Sequence, residues 1–179
     1  DHAVRCLKSH VETHADRPFF QYVAFTAPHF PLQALPEDIA QYADRYNAGW
    51  DEVRKAKFER MLSMGLVSGT ASEPERGLGP PYAFPDQVRQ FGPAEVNLPV
   101  PWDELNEAQR SFQATKMAIH AAMIDRMDQE IGKILNQLRS MNAFNNTLIL
   151  FLSDNGASAE MMVRGDGHDP NAPPGSAAT

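Results

Sequence analysis

Two short runs that are apolar at nearly every position limit the fold more than any other feature. Residues 19–27 read Phe-Phe-Gln-Tyr-Val-Ala-Phe-Thr-Ala, and residues 147–152 read Thr-Leu-Ile-Leu-Phe-Leu. A half-solvated strand alternates apolar and polar positions, whereas a continuous apolar run predicts a strand covered on both faces. Helical patterns surround these runs. Val4, Leu7 and Val11 recur at spacings of three and four, predicting a helix from His2 to about His14 that ends before Pro18. Pro36-Glu37-Asp38 has the proline and acids of a helix start, and a second helical pattern runs from Trp50 to about Leu66. Asp103 is the expected N-cap of the longest helix. Its apolar stripe takes in Phe112, Met117, Ala121, Ile124, Met127, Ile131, Ile134, Leu135 and Leu138. Two buried strands joined through helices predict an α/β fold with a parallel sheet. Two strands alone cannot cover both of their faces, so further strands are expected outside the chain, which reads as a piece of a larger domain.

Between the helical patterns, residues 68–102 are an irregular excursion holding half of the chain's 14 prolines. Excursions of that length are usually functional or a covering segment. With 16 basic against 23 acidic residues and no basic cluster, a nucleic-acid partner is not expected. No apolar stretch is long enough for a membrane span. Cys6 is the only cysteine, which excludes an internal disulfide and a cysteine-rich zinc site. It lies beside Leu7 on the first helical stripe and reads as a packing residue.

Open parallel sheets place their sites at the carboxyl ends of strands. The first run leads into Thr26-Ala27-Pro28-His29-Phe30-Pro31, and the second into Ser153-Asp154-Asn155-Gly156. On parallel strands, His29 and Asp154 would share one edge. A carboxylate beside an amide carbonyl offers hard oxygen ligands, suited to calcium or magnesium rather than zinc. Asp-Asn-Gly is equally an ordinary turn sequence, and a loop histidine also serves simply by hydrogen-bonding a carbonyl.

At these positions the sequence resembles the type I, formylglycine-dependent sulfatases of the alkaline-phosphatase-like superfamily, in their bacterial arylsulfatase branch. The matching text is Pro-Phe-Phe-Gln-Tyr-Val-Ala-Phe-Thr-Ala-Pro-His-Phe-Pro-Leu-Gln-Ala at 18–34 and Phe-Leu-Ser-Asp-Asn-Gly-Ala at 151–157. Tyr46-Asn47-Ala48-Gly49-Trp50-Asp51, Lys116-Met117-Ala118-Ile119 and Ile124-Asp125-Arg126-Met127-Asp128 add to it. The resemblance implies a partial alkaline-phosphatase-like fold and hydrolysis of aryl or carbohydrate sulfate monoesters by the full-length protein. It implies Ca2+, with Asp154 and Asn155 as two of its ligands, and His29 at the sulfate group near the leaving-group oxygen. It also implies a formylglycine nucleophile, made from the first residue of a Cys/Ser-x-Pro-x-Arg motif upstream. Cys6 lies in Val-Arg-Cys-Leu-Lys, which is not that motif, so the nucleophile is expected outside this chain. The amino-terminal acidic pair, a Gly-Lys-x-x-His-x-Gly segment and a later lysine are expected outside it too. The partners implied are a sulfate ester or sulfated glycan and the remainder of the same domain, in a periplasmic or secreted setting. Related readings are a phosphodiesterase or phosphonate hydrolase of the same superfamily, and a non-catalytic domain that binds a sulfated ligand.

Other residues have plainer readings. His168 and Asp169 suit a polar loop. His120 and Asp128 lie on or beside the long apolar stripe, where Asp128 would need a partner. Asn145-Asn146-Thr147 spells a glycosylation sequon but also a helix-to-strand turn. The charges between Asp51 and Arg60 read as a solvated helix face.

Overall fold

The computed structural model describes residues 1–73 and 100–156. The described residues form four α-helices: α1 (His2–His14), α2 (Pro36–Ala40), α3 (Trp50–Ser63) and α4 (Glu107–Ser140). Two single 3-10 turns flank α4, at Trp102–Glu104 and Phe144–Asn146.

Helix α4 is the spine. Its 34 residues make it about 50 Å long at 1.5 Å per residue. It opens on a capping box, in which the Gln109 amide donates to Asn106 Oδ1 at 2.9 Å and the Asn106 amide donates to Gln109 Oε1 at 3.0 Å. The cap is therefore Asn106, and the expected cap Asp103 falls in the preceding 3-10 turn. Both residues are cap formers; Asn106 wins because Gln109 stands three positions on to complete the reciprocal pair.

The ends of α3 and α4 follow one scheme. The Leu66 amide reaches Met61 O (3.0 Å) and the Gly65 amide reaches Leu62 O (3.0 Å). In α4 the Ala143 amide reaches Leu138 O (2.9 Å) and the Asn142 amide reaches Arg139 O (3.0 Å). Both are Schellman endings, which need a left-handed residue just past the helix. Gly65 (φ 69) and Asn142 (φ 56) fill that place, and they belong to the two residue types that adopt it most readily.

The core is small. Leu7, Leu105, Ala114, Ala118, Ala122, Met123 and Leu138 are its buried apolar members. Ala114, Ala118 and Ala122 recur every four residues, so one line of α4 is free of bulk. Both α1 and α2 pack on α4. The buried line lies beside the stripe expected from sequence, whose Ile124 stays 41% exposed. Cys6 is exposed and faces His2, with Sγ 3.5 Å from His2 Nε2, so it is not the packing residue expected. Leu7 alone is buried on α1.

The expected α/β fold is not what the structure shows. Its described residues are helical or irregular, and neither 19–27 nor 147–152 forms a β-bridge. Phe20 is 92% exposed and Leu148 is 84% exposed, so the two covered faces inferred from sequence do not exist here. Apolar, β-branched composition favours extended backbone, but a strand exists only where a second segment supplies the ladder. In residues 19–25 the faces differ. Phe19 packs edge-on against His10 at 5.4 Å, Gln21 donates to Ala3 O at 3.1 Å, and Phe25 lines a cleft against α4. Phe20 and Tyr22 point away.

Residues 100–106 are anchored to the start of α3. Trp102 meets Trp50 edge-to-face at 5.0 Å, its amide lies 3.4 Å from Asp51 Oδ2, and Arg110 Nε donates to Trp102 O at 3.2 Å. Gly49, with φ 88, is buried beneath this indole, and a Cβ there would overlap the ring. Replacing Gly49 by Ala is expected to cost about 2 kcal/mol or more, from positive-φ strain and overpacking together. A melting temperature within a degree of wild type would show that Trp102 can move aside.

Candidate functional site

The segment carrying His29 is a short arch. The His29 amide donates to Thr26 O at 2.9 Å, closing a turn at the end of the apolar run. Both prolines in Ala-Pro-His-Phe-Pro follow cis peptide bonds. His29 and Phe30 are exposed at the crest, while Ala27, Leu32 and Ala34 are partly buried at its feet. His29 Nδ1 is 2.7 Å from Phe30 O. A carbonyl oxygen can only accept, so Nδ1 is the protonated nitrogen of this contact. Nε2 is the nitrogen left for a ligand.

Under the arch lies a cleft of about 630 Å³ between residues 25–39 and α4. Ala27, Leu32, Ile119, Met123 and Met127 supply apolar walls, with Asp38 and Arg126 among them. Asp38, at 2% exposure the largest fully buried side chain described, receives Arg126 Nε on Oδ2 and Arg126 Nη2 on Oδ1, each at 2.8 Å. This is the two-pronged fork a guanidinium makes with a carboxylate. The hydrogen bonds to Asp38 hold the Arg126 guanidinium above its ordinary value, although its partial burial opposes this. The sequence reading missed the pair. Asp38 looked like a first-turn acid of α2, and the charge flagged on the α4 stripe was Asp128. Asp128 is exposed. The available signal was Arg126, a second charge in the same run.

Next to the fork, Asp125 hydrogen-bonds the Tyr42 hydroxyl. Consecutive α4 residues thus hold the start of α2 and the turn after it.

Asp154 and Asn155 lie in an exposed bend, where Ser153 Oγ is 2.6 Å from Asn155 O. Among the described residues, no hydrogen bond or ion pair engages the Asp154 carboxylate. Gly156 has open space where a Cβ would stand. Two adjacent hard oxygen donors fit calcium, whose six to eight ligands require further groups. No three His, Cys, Asp or Glu side chains among the described residues gather at one point. The cleft does not bring His29 to Asp154 or Asn155. The shared sheet edge that would have joined them is missing with the sheet. Residues 74–99 and 157–179, including His168 and Asp169, lie outside the described residues.

Residues 72–76 read Ser-Glu-Pro-Glu-Arg, which fits the bare Cys/Ser-x-Pro-x-Arg spelling. It begins on a serine, so Cys6, the chain's one cysteine, does not mark it. Ser72 Oγ is 3.3 Å from Arg54 Nη2, and Pro74, Glu75 and Arg76 lie outside the described residues. The match follows the His29 segment in the chain, whereas the resemblance places the nucleophile before it.

A family model described as Sulfatase matches residues 1–178. An uncharacterized sulfatase of Schizosaccharomyces pombe is 33% identical over 144 residues, which are 80% of this chain and 23% of that protein. An arylsulfatase of Klebsiella aerogenes is 32% identical over 146 residues, 82% of this chain and 27% of that protein. The human N-sulphoglucosamine sulphohydrolase is 29% identical over 153 residues, 84% and 23% respectively. The chain thus spans about a quarter of the length of the curated relatives it matches.

Partial burial, and then the Asp125 carboxylate, raise the Tyr42 hydroxyl above the ordinary tyrosine value. A raised acid favours the neutral form in the fold. Its stabilisation is complete below about pH 10, the unfolded value, and is lost as pH climbs through the folded value. Asp125→Asn should lower the Tyr42 midpoint in an alkaline absorbance titration, read against Tyr42→Phe. An unmoved midpoint would discard the Asp125 contribution.

Proposed function

The chain belongs to the sulfatase family, and from that premise we propose that the whole protein carrying it hydrolyses aryl or carbohydrate sulfate monoesters with calcium and a formylglycine nucleophile. The observation that carries this reading is the family match over residues 1–178, which takes in both the His29 segment and the Asp154-Asn155 pair. One relative's name, arylsulfatase, supports the ester reaction, and another's, N-sulphoglucosamine sulphohydrolase, supports sulfuryl-group hydrolysis on a sugar, there from nitrogen rather than oxygen.

Each residue has a role in this reading. The Asp154 carboxylate and the Asn155 side-chain carbonyl supply two adjacent oxygen ligands to the cation. When bound, calcium draws electron density from the sulfuryl oxygens and fixes the ester in place. Charge develops on the departing alcohol oxygen as the S–O bond breaks. His29 meets that charge with Nε2, because Nδ1 is occupied by Phe30 O. In the imidazolium form Nε2 donates a hydrogen bond to a sulfuryl oxygen or passes its proton to the leaving oxygen. The Phe30 carbonyl fixes which nitrogen points at substrate, as carbonyl partners do for functional histidines. The remaining calcium ligands, the nucleophile and the cations around the sulfate belong to the rest of the protein.

Two experiments on the whole protein test this. His29→Ala should lower kcat by about 10²- to 10⁴-fold, the usual contribution of a positioned acid or base, and Asp154→Ala should abolish calcium binding measured by calorimetry. Full turnover in the first variant removes His29 from the site; retained calcium affinity in the second removes Asp154. Separately, Ser72→Ala is expected to leave turnover unchanged, and the tryptic peptide holding Ser72 should have the mass of unmodified serine. A Ser72 peptide two hydrogens lighter, or an inactive Ser72→Ala, would move the nucleophile into this chain.

A further inference from the structure

The geometry points to the Asp38–Arg126 fork as a positioning device for the segment that carries His29, an inference that rests on the role given to His29 above. Three observations meet at this point. First, the arch is held at its feet rather than at its crest: Ala27 and Leu32 line the cleft, and His29 and Phe30 do not. Second, the foot nearer α2 ends on Leu35, whose carbonyl accepts the amides of Asp38 and Ile39 at 3.0 Å each. The backbone of the arch therefore passes directly into the turn whose side chain the fork holds. Third, Asp38 is 2% exposed, and both of its oxygens are taken by one guanidinium on the 34-residue helix α4.

A point charge would fix only a distance. Two parallel bonds from a planar group also fix an orientation. Helix α2 has just five residues, too few for independent stability, so its direction is set by what it is tied to. With the fork intact, α2 and the foot of the arch take their bearing from α4. Asp38 and Arg126 touch no reacting atom in this scheme. They act through the placement of His29 and are positioning residues.

The test uses the whole protein and three variants. Asp38→Leu/Arg126→Met replaces the fork by apolar groups of similar size, a change that often preserves stability where removing one partner does not. Arg126→Lys keeps the charge and loses the fork. Lys133→Ala removes the surface Lys133–Glu130 pair as a control. Three quantities are read: the melting temperature, hydrogen exchange of the amides at positions 29, 38 and 39, which donate to Thr26 O and Leu35 O, and kcat and KM on a chromogenic aryl sulfate. The double variant is expected to melt within a few degrees of wild type. Its amides at positions 29, 38 and 39 should exchange roughly tenfold faster or more, and kcat should fall about 10- to 100-fold, the order of loss a small misplacement causes, with KM changed less than twofold. Arg126→Lys should fall between, and Lys133→Ala should match wild type. Wild-type exchange at these three amides in the double variant overturns the inference. So does an unchanged kcat, or a loss of kcat that only parallels a fall in melting temperature. If the wild-type protein cleaves no sulfate ester, the hydrolase reading fails by itself, and the exchange measurement alone decides whether the fork orders the arch.

Discussion

A carboxylate taken out of water must keep a cation close or give up its charge. Asp38 is the one acidic side chain buried in the described structure, and Arg126 answers it with two 2.8 Å hydrogen bonds. Much of the fold can be traced from this contact. It joins residues 88 positions apart in sequence, and it binds a helix too short to hold itself to one that caps and ends itself well. The exposed part of Arg126, 39% of its side chain, means that water reaches one side of the pair. The fork is thus better regarded as a fixer of geometry than as a large store of stability.

Local signals decided how much could be read from sequence. The span of α1, the Pro-Glu-Asp opening of α2 and the start of α3 at Trp50 all agree with the residues. Each depends on caps, prolines and period, which lie within a few positions of one another. The cap of α4 was misplaced by three residues because two cap formers compete and only the reciprocal bond to Gln109 separates them. Cys6 shared a stripe with Leu7 by spacing, but α1 meets its neighbours along a narrower line than the stripe. The apolar runs at 19–27 and 147–152 fail for a different reason. Strand character belongs to a pair of segments, and one segment's composition cannot supply the other's hydrogen bonds. The structure therefore shows largely exposed apolar side chains and no ladder where the pattern suggested buried strands.

The candidate site divides along the same boundary. His29, Asp154 and Asn155 were reached through motif text and ligand chemistry, and the structure adds local facts about each. Phe30 O fixes the His29 tautomer, and Asp154 and Asn155 stand side by side in an open bend. What it does not add is their convergence, which the lost sheet edge was to provide. Asp38 and Arg126 show the opposite case. No motif marked them, and their pairing follows only from how α2 lies on α4.

In the proposed reading, a metal ligand and a histidine at the leaving oxygen have different demands. A metal ligand needs a hard oxygen within about 2.3–2.6 Å of the ion, and the ion itself draws flexible ligands into place. A bend such as 153–156, with Gly156 unencumbered, is well suited to being organised by what it binds. A histidine that meets charge on a leaving oxygen has no such organiser. Its hydrogen bond must be aimed before the bond breaks, because reorientation during the reaction would consume the stabilisation it offers. The roles proposed for these residues would divide along the same line. Asp154 and Asn155 sit on an exposed bend, while His29 sits on an arch whose ring is held by Phe30 O and whose foot is held, through Leu35 and Asp38, by the guanidinium of Arg126.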